Sequence, residues 1–440
     1  MPLYDQDITQ EKLTIRNFLS ITNAEIEIKP ITILIGRQAS GKSIIAKLTY
    51  FFRTFLGETF VSSIRKRENK PNITKAAKEN FKKIFPAYAW EKDHFSIAYQ
   101  AGEYLIVVSN KGSLSSFTFE YSKNLQSLHL KTKNDFRKLT NIKQKKRRGD
   151  EQEDIFEYSF EEEMAFEETL KNNGVDKDPF SKGLFIPAGR SFFSFLQQNL
   201  FNFLRQSGIV DTLIADFGSF YERVKNVYHN KKVDPTNILL RRYKVKKADA
   251  KKLDQLTRSI LIGEYVREEN KDWIVNETRK VNVANASSGQ QETLPLLLAL
   301  RLWPLFSGNH GSNEKRGQLF IEEPEAHLFP ESQKSIVELI ATIHNLTYTR
   351  FFITTHSPYI LTALNTLIYA NNISNEENKG QVEKIIEKSS QINKNDVSAY
   401  SVEKNRAKPI FDIEYGLIEA ETIDTISDEI SKEFDMLLEL

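Results

Sequence analysis

One run of eight residues constrains this chain more than any other: Gly36-Arg37-Gln38-Ala39-Ser40-Gly41-Lys42-Ser43. It follows Ile31-Thr32-Ile33-Leu34-Ile35, which is nearly all apolar and so is expected as a central strand. It precedes a stretch in which Ile44, Ile45, Leu48, Phe51, Phe52 and Phe55 share one helix face. Strand, glycine turn and helix in that order aim free backbone amides at one point, and the helix dipole makes that point favourable for an anion. Gly36 and Gly41 let the backbone wrap a phosphate, with Arg37, Gln38, Ala39 and Ser40 between them. Lys42 reaches further phosphate oxygens, and the Ser43 hydroxyl is placed to ligate magnesium. A chain built on this unit is expected to be α/β.

Three later segments carry chemistry in the context of that loop. Leu319-Phe320-Ile321 reads as a second apolar strand, and Pro324 stops it where Glu322 and Glu323 emerge. Adjacent carboxylates are commonplace in surface loops; beside a phosphate loop, Glu322 is expected to hold Mg²⁺, mostly through water, and Glu323 to act as general base. A third strand, Arg350 to Thr354, runs into Thr355-His356-Ser357-Pro358, and puts His356 within reach of a γ-phosphate. Alone, such a histidine is more often structural. Ser287-Ser288-Gly289-Gln290 leads into an apolar helix expected over Leu294 to Leu302, with Pro295 in its first turn. This second anion site is redundant for a chain that holds a nucleotide in its own loop, so it is expected to serve the nucleotide of another copy.

The rest of the chain sets limits. With 440 residues and 40% hydrophobic content, disorder is excluded. No apolar run approaches the ~20 residues of a membrane helix, and the opening lacks a basic-then-apolar leader, so a cytoplasmic location without a membrane partner is expected. The absence of cysteine removes disulfides, thiol nucleophiles and cysteine metal sites. A net charge of +2 leaves any nucleic-acid argument to local patches. Leu13 to Ile15 and Ala24 to Ile28 read as strands, about 94–130 as an antiparallel sheet, and 143–168 as a basic block followed by an acidic one, a solvated and mobile segment. About 192–260 reads as a helical insertion and Gly263 to Ala286 as a small meander.

In chain order, GRQASGKS, ASSGQQE, LFIEEPEAHLFP and ITTHSP resemble the ATP-binding-cassette superfamily. Within it, IEEPEAHL, THSP and the opening LTIRNF are similar to stand-alone AAA_15- and AAA_21-type ATPases related to the overcoming-lysogenization-defect family and to repair and structural-maintenance ATPases. The resemblance implies an ABC-type P-loop ATPase head with a RecA-like core, an antiparallel β subdomain and a helical insertion. The parts are 1–190 with the phosphate loop and β lobe, 191–262 as insertion, and 263–440 with the remaining motifs. It implies ATP and Mg²⁺ as cofactors, Gly36 to Ser43 as Walker A, Ser287 to Gln290 as signature, Glu322 and Glu323 as Walker B, Glu325 to Leu328 as D-loop and His356 as switch histidine. Two departures stand out: Glu322 where many relatives have aspartate, and Ser288 where the signature usually has glycine. Gln100 is a candidate for a magnesium-sensing glutamine, and Arg190 is either an interface residue or a structural arginine.

The resemblance further implies a head-to-tail dimer, or higher oligomer, in which Ser287 and Gly289 of one copy close over ATP held by Lys42 of another. Two roles follow from it. The first is a regulatory ATPase of prokaryotic antiphage defence, of Septu or PARIS type, that senses phage protein or DNA and controls a separately encoded effector. Only 84 residues follow His356, without an Asp-x-Asp pair, so nuclease activity is expected in a partner protein. The second is a RecF- or SMC-like DNA-binding ATPase, with Lys231, Lys232, Arg241, Arg242, Lys244, Lys246, Lys247, Lys251 and Lys252 as phosphate contacts or as a solvated helix face. A transporter subunit fits poorly, because the stretch from Lys42 to Ser287 is too long.

Overall fold

The computed structural model describes residues 10–147, 155–194, 211–229, 235–307, 317–419 and 435–436. The main strands in chain order are β1 (Glu11–Phe18), β2 (Ile21–Glu27), β3 (Ile31–Ile35), β4 (His94–Ala101), β5 (Tyr104–Lys111), β6 (Thr118–Tyr121), β7 (Gly183–Ile186), β8 (Glu264–Glu268), β9 (Lys271–Val275), β10 (Lys280–Asn282), β11 (Gln318–Glu322), β12 (Arg350–Thr355), β13 (Val397–Glu403) and β14 (Arg406–Pro409). With its helices, the chain is mixed α/β and divides into two units. One comprises Met1–Ile28, Lys47–Leu184 and Ser307–Gln318; the other comprises Lys29–Ala46, Phe185–Phe306 and Leu319–Leu440.

In the first unit, the period-two alternation of β1 buries Leu13 and Ile15, and that of β4 buries Ile97 and Tyr99. β1 pairs antiparallel with β2 and with β4, β4 with β5, and β5 with β6, giving the order β6-β5-β4-β1-β2. Phenylalanines of the helix Lys42–Thr54 and its continuation fill the buried face: Phe52 stacks on Tyr99 at 5.0 Å and Phe55 meets Phe119 edge-on at 4.8 Å. Within this apolar layer Arg53 is fully buried, and bonds Glu11 at 2.6 Å and Asp178 at 3.1 Å.

Two expectations for this unit are corrected. The antiparallel sheet ends at Tyr121, and Lys123–Arg147 is a helix. The reason is spacing: Leu125, His129, Thr132, Phe136 and Thr140 are buried three and four residues apart, a helical stripe among polar neighbours. The acidic part of 143–168 is also structured from Ile155 on, since Ile155–Asn172 is a helix that buries Ala165, Phe166, Thr169 and Leu170 and leaves Glu162, Glu163 and Glu168 exposed. Arg148 to Asp154 lie outside the described residues.

In the second unit, β3 is buried throughout and pairs parallel with β12 on one side and β13 on the other. β11 lies beside β12, and β14 returns antiparallel to β13. The described part of the insertion is helical, with Thr212–His229, Pro235–Arg242 and Lys247–Leu261, and β8, β9 and β10 form the expected meander. Lys231 and Lys232 lie outside the described residues.

The apolar helix expected from Leu294 instead spans Ser288–Ser307, so Pro295 and Pro304 are internal. Proline at 295 withholds the amide that Gln291 O would normally accept. The Ser194 hydroxyl donates to that carbonyl instead, at 3.2 Å. Leu294, Leu296, Leu297, Leu298, Leu300 and Leu302 of this helix are buried, and burial of each contributes ~2 kcal/mol, enough to outweigh the proline defects. Among the described residues, no helix is long and apolar enough to cross a membrane.

Breaking the Arg53–Glu11 pair from one side strands a charge in a dry interior. Glu11→Gln is therefore expected to cost about 3 kcal/mol, read from urea unfolding. A loss below about 1 kcal/mol would mean that Asp178, Pro179 O and Ser181 suffice to satisfy Arg53.

Candidate nucleotide-binding site

Everything in this site belongs to the second unit. β3 ends at Ile35, paired with Thr355 of β12, so Gly36 and His356 begin at the same level of the sheet. Gly36 has φ +157°, and a Cβ there would collide with the Val402 carbonyl of the neighbouring β13. Ala39 (φ +60°) and Gly41 (φ +101°) turn the loop through the left-handed region. The Ser40 amide donates to Arg37 O at 3.3 Å, and Ile45 N donates to Gly41 O at 3.2 Å as the helix begins. Arg37, Gln38, Ala39 and Ser43 are exposed, whereas Lys42 is buried.

Lys42 Nζ donates to Gly36 O at 2.7 Å and Arg37 O at 2.9 Å, and faces the His356 ring at 3.3 Å. Burial lowers its pKa to about 8, against the opposing pull of Glu323, Glu325 and Glu322. Loss of hydration therefore outweighs three nearby carboxylates.

His356 Nε2 lies 3.0 Å from Glu323 Oε1, and both side chains are about one-third exposed, at 31% and 38%. Glu323 itself is a non-glycine residue at φ +46°, and its amide donates to Thr354 O at 2.8 Å. Glu325 braces the histidine from below, accepting from Thr355 Oγ1 at 2.7 Å and from the His356 amide at 2.6 Å. The structure thus brings Lys42, Glu323 and His356 together at one edge of the sheet.

Glu322 supplies the test for a cation. It is 8% exposed, its Oε1 has no hydrogen-bond partner among the described residues, and its Oε2 receives only a 3.4 Å contact from Ala188 N. A buried carboxylate left so short of donors fits a cation ligand. No group of three or more His, Asp or Glu that could hold a metal occurs among the described residues. Magnesium here would draw on Glu322, Ser43 and ligand phosphates, in keeping with its preference for few protein ligands.

Ser287 to Gln290 form a closed cap. The Ser287 hydroxyl and amide bond Gln290 Oε1 at 3.2 and 3.3 Å, Gln290 N donates back to Ser287 Oγ at 3.3 Å, and Gln290 Nε2 reaches Leu261 O at 2.9 Å. A Cβ on Gly289 would stand 2.9 Å from His327 O, so this helix end lies against the turn that follows Glu325. Ser288, one residue earlier, begins the helix. Gln100, in the other unit, is exposed and bonds Gly102 O at 3.2 Å.

Sequence reasoning left Arg190 open and missed Glu292. Arg190 is fully buried. It donates to Glu322 O at 2.7 Å, Glu323 O at 2.9 Å, Pro187 O at 3.0 Å and Glu292 O at 3.1 Å. The Glu292 carboxylate accepts from the Arg190 and Ser191 amides at 2.8 and 2.7 Å. Glu292 is the one acid in SGQQETLPLLLALRLWPLFS, a helix otherwise destined for burial, and that anomaly was the available signal. In the basic run, Lys252 is buried against Glu338 at 2.8 Å and Arg242 bonds Leu305 O, while Arg241, Lys244, Lys246, Lys247 and Lys251 are exposed.

Residues 219–361 match the model of a family described as AAA ATPase domain. That span contains Ser287 to Gln290, Glu322, Glu323 and His356, and begins after the Gly36 to Ser43 loop. No curated protein matches the chain. Among solved structures, the chain is similar to an Smc head domain with an extended coiled coil bound to the C-terminal domain of ScpA, derived from Pyrococcus furiosus. Identity is 11%, coverage 96% of this chain and 99% of that one, and the TM-score 0.38. It is also similar to the SMC head domain from Thermotoga maritima (10% identity, 91% and 98% coverage, TM-score 0.35). A third is the recombination mediator protein RecF of the RecFOR pathway (10% identity, 92% and 100% coverage, TM-score 0.34).

The depressed Lys42 pKa has a signed consequence. Between pH 8 and 10 the unfolded chain keeps a proton on this lysine that the folded chain releases, so its contribution makes stability rise with pH across that window. Lys42→Met should remove that rise and stabilise the ligand-free protein below pH 8, as measured by chemical denaturation at pH 7 and 9.5. Parallel pH profiles for variant and wild type would refute it.

Proposed function

We propose that the chain is an ATP-binding and ATP-hydrolysing regulatory ATPase that works as a nucleotide-sandwich dimer or higher oligomer and controls a separately encoded effector, a nuclease, in prokaryotic antiphage defence. The observation that carries the ATPase part is the convergence of Lys42, Glu323 and His356 beside the donor-poor Glu322 carboxylate. The family match over 219–361 supports it. The defence role rests on the resemblance of the motifs and on their order.

In this reading the backbone of Gly36 to Gly41 wraps the phosphates, and Lys42 exchanges its bonds to Gly36 O and Arg37 O for phosphate oxygens. Glu323 orients and polarises the attacking water, with His356 steering the carboxylate and facing the γ-phosphate. Ser43 and Glu322 would hold magnesium, which would offset phosphate charge when bound. Ser287, Ser288, Gly289 and Gln290 present their helix end to nucleotide on a second copy, so turnover depends on assembly.

Exposure of Arg241, Lys244, Lys246, Lys247 and Lys251 favours a second reading, a DNA-binding ATPase of repair or chromosome maintenance. Reversal of these five to glutamate would then abolish salt-sensitive duplex binding.

Glu323→Gln is expected to keep ATP affinity, lose ~10²–10⁴-fold in turnover and accumulate as the assembled form, seen by equilibrium binding, single-turnover hydrolysis and light scattering. Wild-type turnover in this variant would remove Glu323 from the base role. Purified with ATP and Mg²⁺ from cells carrying its neighbouring genes, the same variant should retain a stoichiometric protein partner. Duplex DNA without such a partner would replace the defence reading with the second one.

A further inference from the structure

In the ATPase reading, most of the site described above is explained by what would touch a phosphate. The Arg190–Glu292 pair is not. Both side chains are almost completely excluded from solvent, at 0% and 1%, a costly place for two charges. Arg190 spends its hydrogen bonds on backbone carbonyls: Glu292 O through Nε, Pro187 O and Glu322 O through Nη1, and Glu323 O through Nη2. A fork bonded to carbonyls on three different segments fixes their relative position, because the planar guanidinium holds the directions of its donors constant.

One end of this fork is the helix Ser288–Ser307. Glu292 stands two residues after Gln290, and its carboxylate is locked by the Arg190 and Ser191 amides. The other end is the turn that carries Glu323. That residue sits at φ +46°, held by Thr354 O on its amide and by Arg190 on its carbonyl. A non-glycine residue in the left-handed region persists only where its surroundings over-determine it. Gly289 adds a second contact from the same helix end, against His327 O beyond Glu325. The helix N-terminus therefore braces the 322–327 turn on both sides of the base.

We infer that Arg190 and Glu292 are positioning residues that transmit the placement of the Ser287–Gln290 helix end to the Glu323 carboxylate, so that engagement of that end by nucleotide on another copy sets the water-activating geometry. The inference rests on the ATPase reading for its consequence and on the contacts alone for its geometry. It predicts that weakening the pair disturbs the Glu323 turn and the hydrolytic step while leaving nucleotide binding intact.

Two conservative variants test it: Glu292→Gln, which keeps shape but not charge, and Arg190→Lys, which keeps charge but not the fork. In nucleotide-free protein, hydrogen exchange over 319–325 should accelerate in both, with exchange over 42–54 unchanged. With ATP, Kd should stay within about threefold while single-turnover hydrolysis falls ~10- to 100-fold, the loss expected from a misplaced reacting group. In a Glu323→Gln background neither variant should slow hydrolysis further, because a group that acts through Glu323 has nothing left to position. Unchanged exchange over 319–325, or additive losses with Glu323→Gln, would overturn the inference. So would binding, turnover and thermal stability declining together, which is the mark of a merely structural pair. If wild-type protein fails to hydrolyse ATP, the ATPase reading falls, and the exchange comparison still decides whether the pair positions the turn.

Discussion

The parallel register of β3 with β12 and β13 is the constraint on which the site depends. Pairing of Ile35 with Thr355 brings the ends of β3 and β12 to one level, with Ser401 of β13 on the other side, so the loop that begins at Gly36 and the histidine that follows Thr355 emerge side by side. A slip of one residue along β12 would turn each of its side chains to the opposite face. Buried Ile31, Ile33, Ile35, Phe351, Phe352 and Ile353 hold the strands in place together with the backbone ladder. Strand pairing and apolar packing thus set the frame in which Lys42 and His356 approach to 3.3 Å.

On that frame the site places charges where hydration is poor, and the outcome depends on which opposing term is larger. For Lys42, burial outweighs three carboxylates and its proton affinity drops. For Glu322, a buried oxygen has no donor among the described residues, which leaves it suited to a cation. For Arg190, burial likewise lowers the pKa against the pull of Glu292 and the carboxylates at 322–325, yet the fork is bonded to four carbonyls. Polar groups in a low-dielectric interior must be either paired or functional. Arg190 and Lys42 are paired with carbonyls, whereas Glu322 Oε1 has no hydrogen-bond partner among the described residues.

Much of this was legible in the residues. The Gly36 to Ser43 spacing, the strand before it and the helix after it are local patterns, and the structure reproduces them. The meander at 264–282 and the helices after Thr212 also follow from periodicity. Errors arose where local signals competed. Alternation near 94–121 was extended too far, into Lys123–Arg147, because a polar helix with a narrow buried stripe resembles a broken strand pattern. Pro295 was read as a helix start because proline is favoured there, but tertiary packing carried the helix back to Ser288, and Ser194 supplied the donor that proline lacks.

By itself the sequence determined which groups are available: a phosphate loop, two carboxylates after a buried strand, a histidine after another, and no cysteine chemistry. These are properties of neighbours along the chain, governed by backbone conformation and short-range periodicity. Only the tertiary structure decided which of them meet, which are braced and which are spent internally. Gln290 closes its own helix cap, Lys252 is consumed by Glu338, and Arg190 joins Glu292 to carbonyls 132 and 133 positions later. The physical reason is that burial and pairing of charge depend on contacts between residues far apart in the chain, and no local pattern encodes the distance between them.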